Sequence, residues 1–372
     1  GITMTILIQD VRFIQRGTMC FGDLYLEDGF VERIDYKTPK PYSDIALNGF
    51  VDIHTHGFRG CSAESNDINV LHQLAIQYAK RGTVGFLATL DPMPLKDYEP
   101  ILQGYREAFK GEYPGARFYG VHFEGPYLNP KRANDLDPDC LQPINLQELE
   151  RFLFHYSDLI KIMSIAPELE NGLEAVAMLK RFGIIASVAH SECSFEQTKQ
   201  AISAGITQAT HLCNAMPDFD HHQAGILDAI IESDILCELN MDGVHIQRPM
   251  LQWLIRLLGQ QRIMAISDGS ACSGYEYPQG YQLDHKHIVQ NNAIYANGHL
   301  ANSFQDLSDA FRYLYLELHY PLEDCIAMTS TNAGRLINTL NYEIGLGKKA
   351  DLVVMDHNIE LKDVIISGKH SL

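Results

Sequence analysis

Six residues of this chain carry side chains that bind divalent cations, and each sits where a strand-like run ends. DIHTHG (52–57) places His54 and His56 two apart, and VHFEGP (121–126) carries Glu124. SVAHSE (187–192) carries His190, ATHLCN (209–214) carries His211, and AISDGS (265–270) carries Asp268. Residues i and i+2 of a strand share a face, so the imidazoles of His54 and His56 can reach one ion. A lone histidine in an apolar strand, such as His190 or His211, is as readily a hydrogen-bonded core residue as a ligand. Glu124 and Asp268 are harder to place in a core, because carboxylates are almost never fully buried unless paired or metal-bound. Imidazole and carboxylate donors without thiolate suit zinc, iron, cobalt or manganese, as one ion or two. Cys193 and Cys213, each close to a histidine, lie beyond the strand ends at unsuitable spacing. A divalent ion in such a set lowers the pKa of coordinated water to about 7 and polarises a carbonyl oxygen. Asp268 is the candidate general base and acid, taking a proton from that water and delivering it to a leaving amine.

These residues need a scaffold that brings distant strand ends together. Eight β-rich runs are predicted: Phe50–His56, Val84–Leu90, Phe118–Glu124, Ile160–Ala166, Ile184–His190, Ile206–Leu212, Ile235–Met241 and Arg262–Ser267. Between them lie segments with helical spacing, among them Asn69–Arg81, Leu146–Tyr156, Gly172–Phe182, Ser194–Ala204 and Arg248–Gly259. Strands alternating with helices predict an α/β fold, and eight units predict a closed (β/α)8 TIM barrel over residues 49–335. In that fold the C-terminal strand ends converge on one mouth, which is where the candidate ligands fall. Residues 4–48 read instead as short strands (Ile6–Ile8, Val11–Phe13, Asp23–Glu27, Phe30–Ile34) in hairpins. The segments 345–356 and 364–369 are strand-like too, so residues 1–48 and 336–372 are expected to form one small, discontinuous β domain.

Composition narrows the function classes. The chain has 372 residues, 46% hydrophobic and 20% charged, which excludes disordered and fibrous classes. Its formal charge of −18 repels polyanions and anionic membrane surfaces, so no nucleic-acid or membrane partner is expected. No apolar run approaches the roughly 18 residues of a membrane span, and the first residues, GITMTILIQD, lack the basic and apolar regions of a signal peptide. Eight dispersed cysteines without a CxxC pattern fit reduced thiols and a cytoplasmic location.

HTHG on the first run, the later single histidines, Asp268 and the terminal IGLGKKADLVV resemble the amidohydrolase superfamily. Within it, VHFEGPYLNPKRA (121–133), VAHSECS (188–194), ATHLCNAM (209–216), MDGVHI (241–246), ISDGSACSG (266–274) and LANS (300–303) are similar to the N-acetylglucosamine-6-phosphate deacetylase family. The similarity runs over nearly the whole chain. It implies a metal-centred barrel with a small β-sandwich built from both chain ends. It further implies hydrolysis of the acetamide of an N-acetyl amino sugar, with a small-molecule substrate and a homodimer.

Residue by residue, the resemblance makes Glu124 the central ligand, His190 and His211 the two single-histidine ligands, and Asp268 the acid/base. His54 and His56 match the histidine pair of members with two metals, and zinc or iron is the implied ion. Asn214 and Ala215 lie at the sugar phosphate, partly through backbone N–H groups, and His245 lies at the substrate. Three departures bear on the substrate. The family's HHREPG, whose Arg reaches the phosphate of a neighbouring subunit's substrate, is replaced by DHHQAG (220–225), with His222 or Gln223 at the Arg position. Neither supplies a guanidinium's fixed charge and bidentate fork. The loop NDLDPD (134–139) adds carboxylates where the family has Gly and a His or Gln, and LANS replaces an LSGS-like motif. Related substrates are therefore weighed beside the leading one: N-acetylgalactosamine 6-phosphate, an unphosphorylated N-acetyl sugar, or an N-acyl amino acid. A non-catalytic barrel is disfavoured, since such proteins ordinarily lose ligands and all six are present here.

Overall fold

A computed structural model describes residues 1–372. Eight parallel strands form one sheet, in chain order Phe50–Thr55, Thr83–Leu90, Arg117–Glu124, Ile160–Ile165, Ile185–Val188, Ile206–Ala209, Leu236–Asn240 and Ile263–Ile266. The eighth returns to the first: the Asp268 N–H donates to the His54 carbonyl (2.9 Å), and the His56 N–H to that of Gly269 (2.8 Å). This closes the (β/α)8 barrel and sets Asp268 beside the histidine pair. Helices follow the strands, among them Ile68–Lys80, Leu95–Ala108, Leu146–Tyr156, Gly172–Arg181, Phe195–Ala204, Ile226–Glu232 and Arg248–Leu258.

Several predicted runs overshoot the strands. The fifth, sixth and eighth strands stop at Val188, Ala209 and Ile266, two residues short of His190, His211 and Asp268. Those three residues have φ of +42°, +23° and +47°. A left-handed backbone breaks the ladder and turns each side chain inward, at a cost on the order of 1–3 kcal/mol per residue that the surrounding packing must offset.

Side chains alternate along each strand, so every second residue points into the barrel. The lowest inner level is apolar: Val51, Leu87, Ile162, Met264 and Ile266 pack against Ala333 and Ile337. The next is polar and buried, with Thr89, His122, Ser164, Ser187, Gln208, Thr210 and Glu238. The candidate ligands stand above it.

Both chain ends share one seven-stranded sheet, in the order Lys369–His370, Leu361–Ile366, Leu352–Met355, Asp44–Asn48, Thr5–Gln15, Thr18–Glu27, Phe30–Tyr36. Its core includes Val11, Phe13, Leu24, Leu26 and Val354. The two short strands predicted at Ile6–Ile8 and Val11–Phe13 are one strand with a bulge between Ile8 and Val11, where Asp10 takes φ +54°. A three-stranded antiparallel sheet, His287–Gln290, Ala293–Ala296 and His299–Ser303, follows the eighth barrel strand and was not foreseen.

A polar cluster joins the terminal sheet to the base of the third barrel strand. The Arg117 guanidinium donates to Asp351 (2.5 and 3.2 Å), and Lys349 Nζ to the Tyr119 hydroxyl (2.8 Å) and the Thr339 carbonyl (2.9 Å). Burial outweighs the pull of Asp351 and lowers the Lys349 ammonium from 10.5 to about 8. The folded protein thus binds fewer protons than the unfolded chain between about 8 and 10.5, so this residue's contribution to stability rises with pH across that window. Urea unfolding of wild type and Lys349→Met from pH 7.5 to 10 should show the wild type gaining relative to the variant; a constant difference would refute the assignment.

Candidate active site

Glu124 ends the third barrel strand, and its two carboxylate oxygens face two different groups of donors. Oε2 lies 2.7 Å from His54 Nε2 and 3.3 Å from His56 Nε2. Oε1 lies 3.2 Å from His190 Nε2 and 3.9 Å from His211 Nε2. Asp268 Oδ1 joins the first group, 3.3 Å from His54 Nε2 and 3.4 Å from His56 Nε2. His54, His56, Glu124 and Asp268 form one cluster of converging donor atoms, and Glu124, His190 and His211 form another. The structure therefore brings all six sequence-derived ligand candidates together around one shared carboxylate. Cys193 and Cys213 belong to neither cluster; the Cys193 thiol donates instead to Glu168 (3.7 Å).

The hydrogen bonds made by the outer ring nitrogens test whether a cation fits here. His190 Nδ1 donates to the Arg132 carbonyl (2.6 Å), and His54 Nδ1 to Glu238 Oε1 (2.8 Å). Both partners are acceptors, so in the neutral rings Nε2 is a bare lone pair. Lone pairs then face carboxylate oxygens, and the Nε2 atoms of His54 and His56 are only 3.3 Å apart. Glu124 Oε2 and the outer nitrogens of His56 and His211 are buried without a hydrogen-bond partner. Protons or cations must lie between these groups, and the donors are those that hold divalent ions.

The titration shifts have the same origin. Burial opposes charge on His54, but Glu238, Asp268 and Glu124 outweigh it and hold the imidazole well above its ordinary value. Burial alone would raise Glu124 and Asp268; the facing imidazoles instead hold both carboxyls well below the usual range.

Beneath the clusters the polar level is satisfied bond by bond. His122 Nδ1 donates to the Ile53 carbonyl (2.8 Å), so its Nε2 accepts from Ser164 (2.7 Å). Each hydroxyl has one proton, so Thr210 then donates to Ser164 (2.6 Å) and Ser187 to Thr210 (2.6 Å). Burial pushes His122 down to about 4, which keeps it neutral.

Above the clusters opens a cavity of about 580 Å³. Asn214, Ala215 and His245 line it. His245 Nδ1 donates to Asp242 (2.6 Å), while its Nε2 is buried without a partner and free for a ligand. His222 is placed elsewhere: it is exposed, outside the lining, in a turn where its N–H donates to Asp220 (2.8 Å). The 134–139 loop brings Asp135 and Asp137 to the wall. Glu64, Asp91, Asp284 and Lys286 also line the cavity and were not singled out from the sequence. Asp91 follows the second barrel strand in the position that carries a candidate ligand on other strands, and its Oδ1 lies 3.4 Å from His56 Nδ1. That placement is the signal that would have found it. Glu238 and Asp52 were also passed over, although each is a carboxylate inside an apolar strand.

A closed (β/α)8 barrel with imidazole and carboxylate clusters at its strand ends is the architecture of a metal-dependent hydrolase. The chain belongs to the amidohydrolase family, whose sequence model matches residues 45–370, and it is a hydrolase acting on an amide. It is 28% identical to the N-acetylglucosamine-6-phosphate deacetylase of Lysinibacillus sphaericus, over 93% of this chain and 92% of that one. It is 25% identical to the N-acetylgalactosamine-6-phosphate deacetylase of Escherichia coli O157:H7, over 98% and 99%. Its fold matches the crystal structure of N-acetyl-D-glucosamine-6-phosphate deacetylase from Mycobacterium smegmatis with a TM-score of 0.89 and 24% identity, covering 99% of this chain and 100% of that one. No helix is long and apolar enough to cross a membrane.

The shared carboxylate makes a clear prediction about cation content. Glu124→Ala should empty both clusters, whereas His190→Ala should empty one and leave the other loaded. Elemental analysis of the purified variants decides; equal losses in the two would contradict the arrangement.

Proposed function

We propose that this enzyme hydrolyses the acetamide of N-acetylglucosamine 6-phosphate, giving glucosamine 6-phosphate and acetate. The observation that carries the reading is the position of Asp268: its carboxylate stands at the floor of the cavity, 3.3 to 3.4 Å from the Nε2 atoms of His54 and His56. The curated relatives support the choice of an N-acetylhexosamine 6-phosphate.

His54, His56, Glu124, His190, His211 and Asp268 would hold the metal, zinc or iron; the two donor groups on Glu124 favour two ions over one. When bound, the metal supplies Lewis acidity and makes water a nucleophile near neutral pH. Asp268 takes a proton from the water whose oxygen attacks the acetyl carbonyl carbon, and passes it to the amine nitrogen as the C–N bond breaks. The remaining proton of the water also passes to the amine, so acetate leaves with the attacking oxygen and the sugar leaves as its ammonium. Asp242 orients His245 so that Nε2 faces the sugar, while Asn214 and Ala215 meet the phosphate, Ala215 through its backbone N–H.

The dimer belongs to the same proposal. Met250, Trp253 and Leu257 form an exposed apolar stripe on the helix Arg248–Leu258, and Phe219 packs edge-on to Trp253 at 5.7 Å between ring centroids. Phe219 adjoins the loop carrying His222, so a second copy seated on this stripe would bring His222 or Gln223 towards its neighbour's substrate. Eight unpaired cysteines support a cytoplasmic location.

Asp268→Asn should abolish turnover, by about 10³-fold or more, while cation content is retained. Metal-quantified protein assayed on glucosamine and galactosamine N-acetyl sugars, with and without the 6-phosphate, tests the substrate. Failure to release acetate from any N-acetylhexosamine 6-phosphate would refute the proposal. For the dimer, light scattering should show wild type as two copies and Trp253→Glu as one, with a raised KM for the phosphorylated substrate. A monomeric wild type would remove this part.

A further inference from the structure

We infer that Glu238 is a positioning residue: it fixes the tautomer of His54 and thereby sets how tightly the His54/His56 cluster holds a divalent cation. The inference rests on the metal ligands proposed above. Glu238 lies in the middle of the seventh barrel strand, in the polar level beneath the clusters, and is fully buried. Its Oε1 accepts from His54 Nδ1 (2.8 Å) and from the His211 backbone N–H (3.1 Å), and its Oε2 from Gln208 Nε2 (2.8 Å). No lysine or arginine pairs with it.

The four candidate imidazoles are not held alike. His190 is oriented by a backbone carbonyl, while the outer nitrogens of His56 and His211 have no hydrogen-bond partner. Only His54 is oriented by a fully buried carboxylate. A carboxylate oxygen accepts and does not donate, so the proton stays on Nδ1 and the Nε2 lone pair is directed at Glu124, His56 and Asp268. A carboxylate behind a ligating imidazole also raises its basicity, and loss of such a partner commonly weakens metal binding about 10–100-fold. Through the His211 N–H the same side chain anchors the left-handed turn that aims the second cluster's ligand, so both clusters take their geometry from one residue.

Two substitutions separate charge from shape. In Glu238→Gln an oxygen can still accept from His54 and His211. The new NH2 then faces Gln208, whose own Oε1 is buried without a partner and can accept it after the amide turns over. This variant keeps the hydrogen bonds and loses the charge. Glu238→Leu loses both. Competition with a chromophoric chelator, using zinc as the probe, resolves the cation-binding steps, and the step missing in His56→Ala marks the His54/His56 cluster.

We expect that step to weaken at least about tenfold in Glu238→Leu. In Glu238→Gln it should weaken by a smaller factor, with the other step unmoved. With zinc bound, the imidazole 15N shifts of His54 should report a proton on Nδ1 and ligation through Nε2 in the wild type, and a mixture of ring states in Glu238→Leu. Glu238→Leu also frees the His211 turn and can move both steps, so the Gln variant decides: a merely structural role would lower its thermal stability and move both of its steps by the same factor. Unchanged affinity at the marked step in Glu238→Gln overturns the inference, and this holds even where Glu238→Leu fails to fold. A wild type that takes up no zinc defeats the metal assignment itself, a separate result visible before any variant is measured.

Discussion

The carboxylate of Glu124 is the point on which the site depends. It is buried at the end of one strand, and four imidazoles from three other strand ends face it at 2.7 to 3.9 Å. An isolated carboxylate in such a place is strongly disfavoured, because burial removes its hydration. Positive charge between the oxygens and the ring nitrogens reverses that, whether as protons on the imidazoles or as bound cations. The same demand accounts for the raised His54 and the depressed Glu124 and Asp268. It also bears on the backbone: His190, His211 and Asp268 adopt left-handed conformations uncommon for any residue with a side chain, though His and Asp enter them more readily than most, and the contacts they make hold them there.

A barrel this polar inside is tolerated because its levels are separated. The apolar floor of Val51, Leu87, Ile162, Met264 and Ile266 supplies ordinary core packing. Above it, the chain from Ser187 through Thr210 and Ser164 to His122 gives every hydroxyl proton an acceptor, so burial costs little there. Glu238 adds a carboxyl group to that level, and Asp52 is buried at the seam between the first and eighth strands. Asp52 accepts from the His54 N–H (3.2 Å) and from the Ser267 N–H (3.4 Å), tying the first strand to the eighth where the barrel closes.

How much of this was legible in the sequence follows from what each signal measures. Hydrophobic periodicity located all eight barrel strands, and polar residues at the ends of five runs located the six ligand candidates: each histidine alone fits a core equally well, but carboxylates there do not, and the six together leave a core role little room. The strand ends themselves were overrun, since nothing in VAHSE or ATHLC announces a left-handed histidine. Glu238 was missed although the reasoning applied to Glu124 covers it equally: ILCELN also places a carboxylate inside an apolar run. The bulge at Asp10 was hidden because the polar pair Gln9-Asp10 interrupts the apolar alternation and splits one strand into two short runs. The sheet at 287–303 and its cavity residues depend on a long insertion whose path is set by packing against the barrel mouth, not by local pattern. His222 shows the converse: resemblance assigned it to a substrate, and within this chain it lies on the surface, where only a neighbouring copy could use it.

The hardest constraint on the proposed substrate is charge. Seven carboxylates line the cavity, Glu64, Asp91, Glu124, Asp135, Asp137, Asp268 and Asp284, against the single fixed cation Lys286. A sugar phosphate entering such a wall would meet repulsion, yet the formal count overstates it. Glu124 and Asp268 are matched by the imidazoles or the cations they hold. Desolvation is the largest influence on Asp91; it outweighs the pull of His56 and, with Glu64 and Glu124, pushes the carboxyl up to about 7. Desolvation raises Asp135 as well. Burial opposes charge on His245, but the Asp242 carboxylate outweighs it and raises the imidazole, which biases the unpartnered Nε2 towards donating into the cavity. The acidic wall left over is suited to accepting hydrogen bonds from sugar hydroxyls and to holding the ammonium that amide hydrolysis creates. The cavity's field thus favours the product amine over the neutral amide, while cations held at Glu124 and a donor at His245 would offset the phosphate of the proposed substrate.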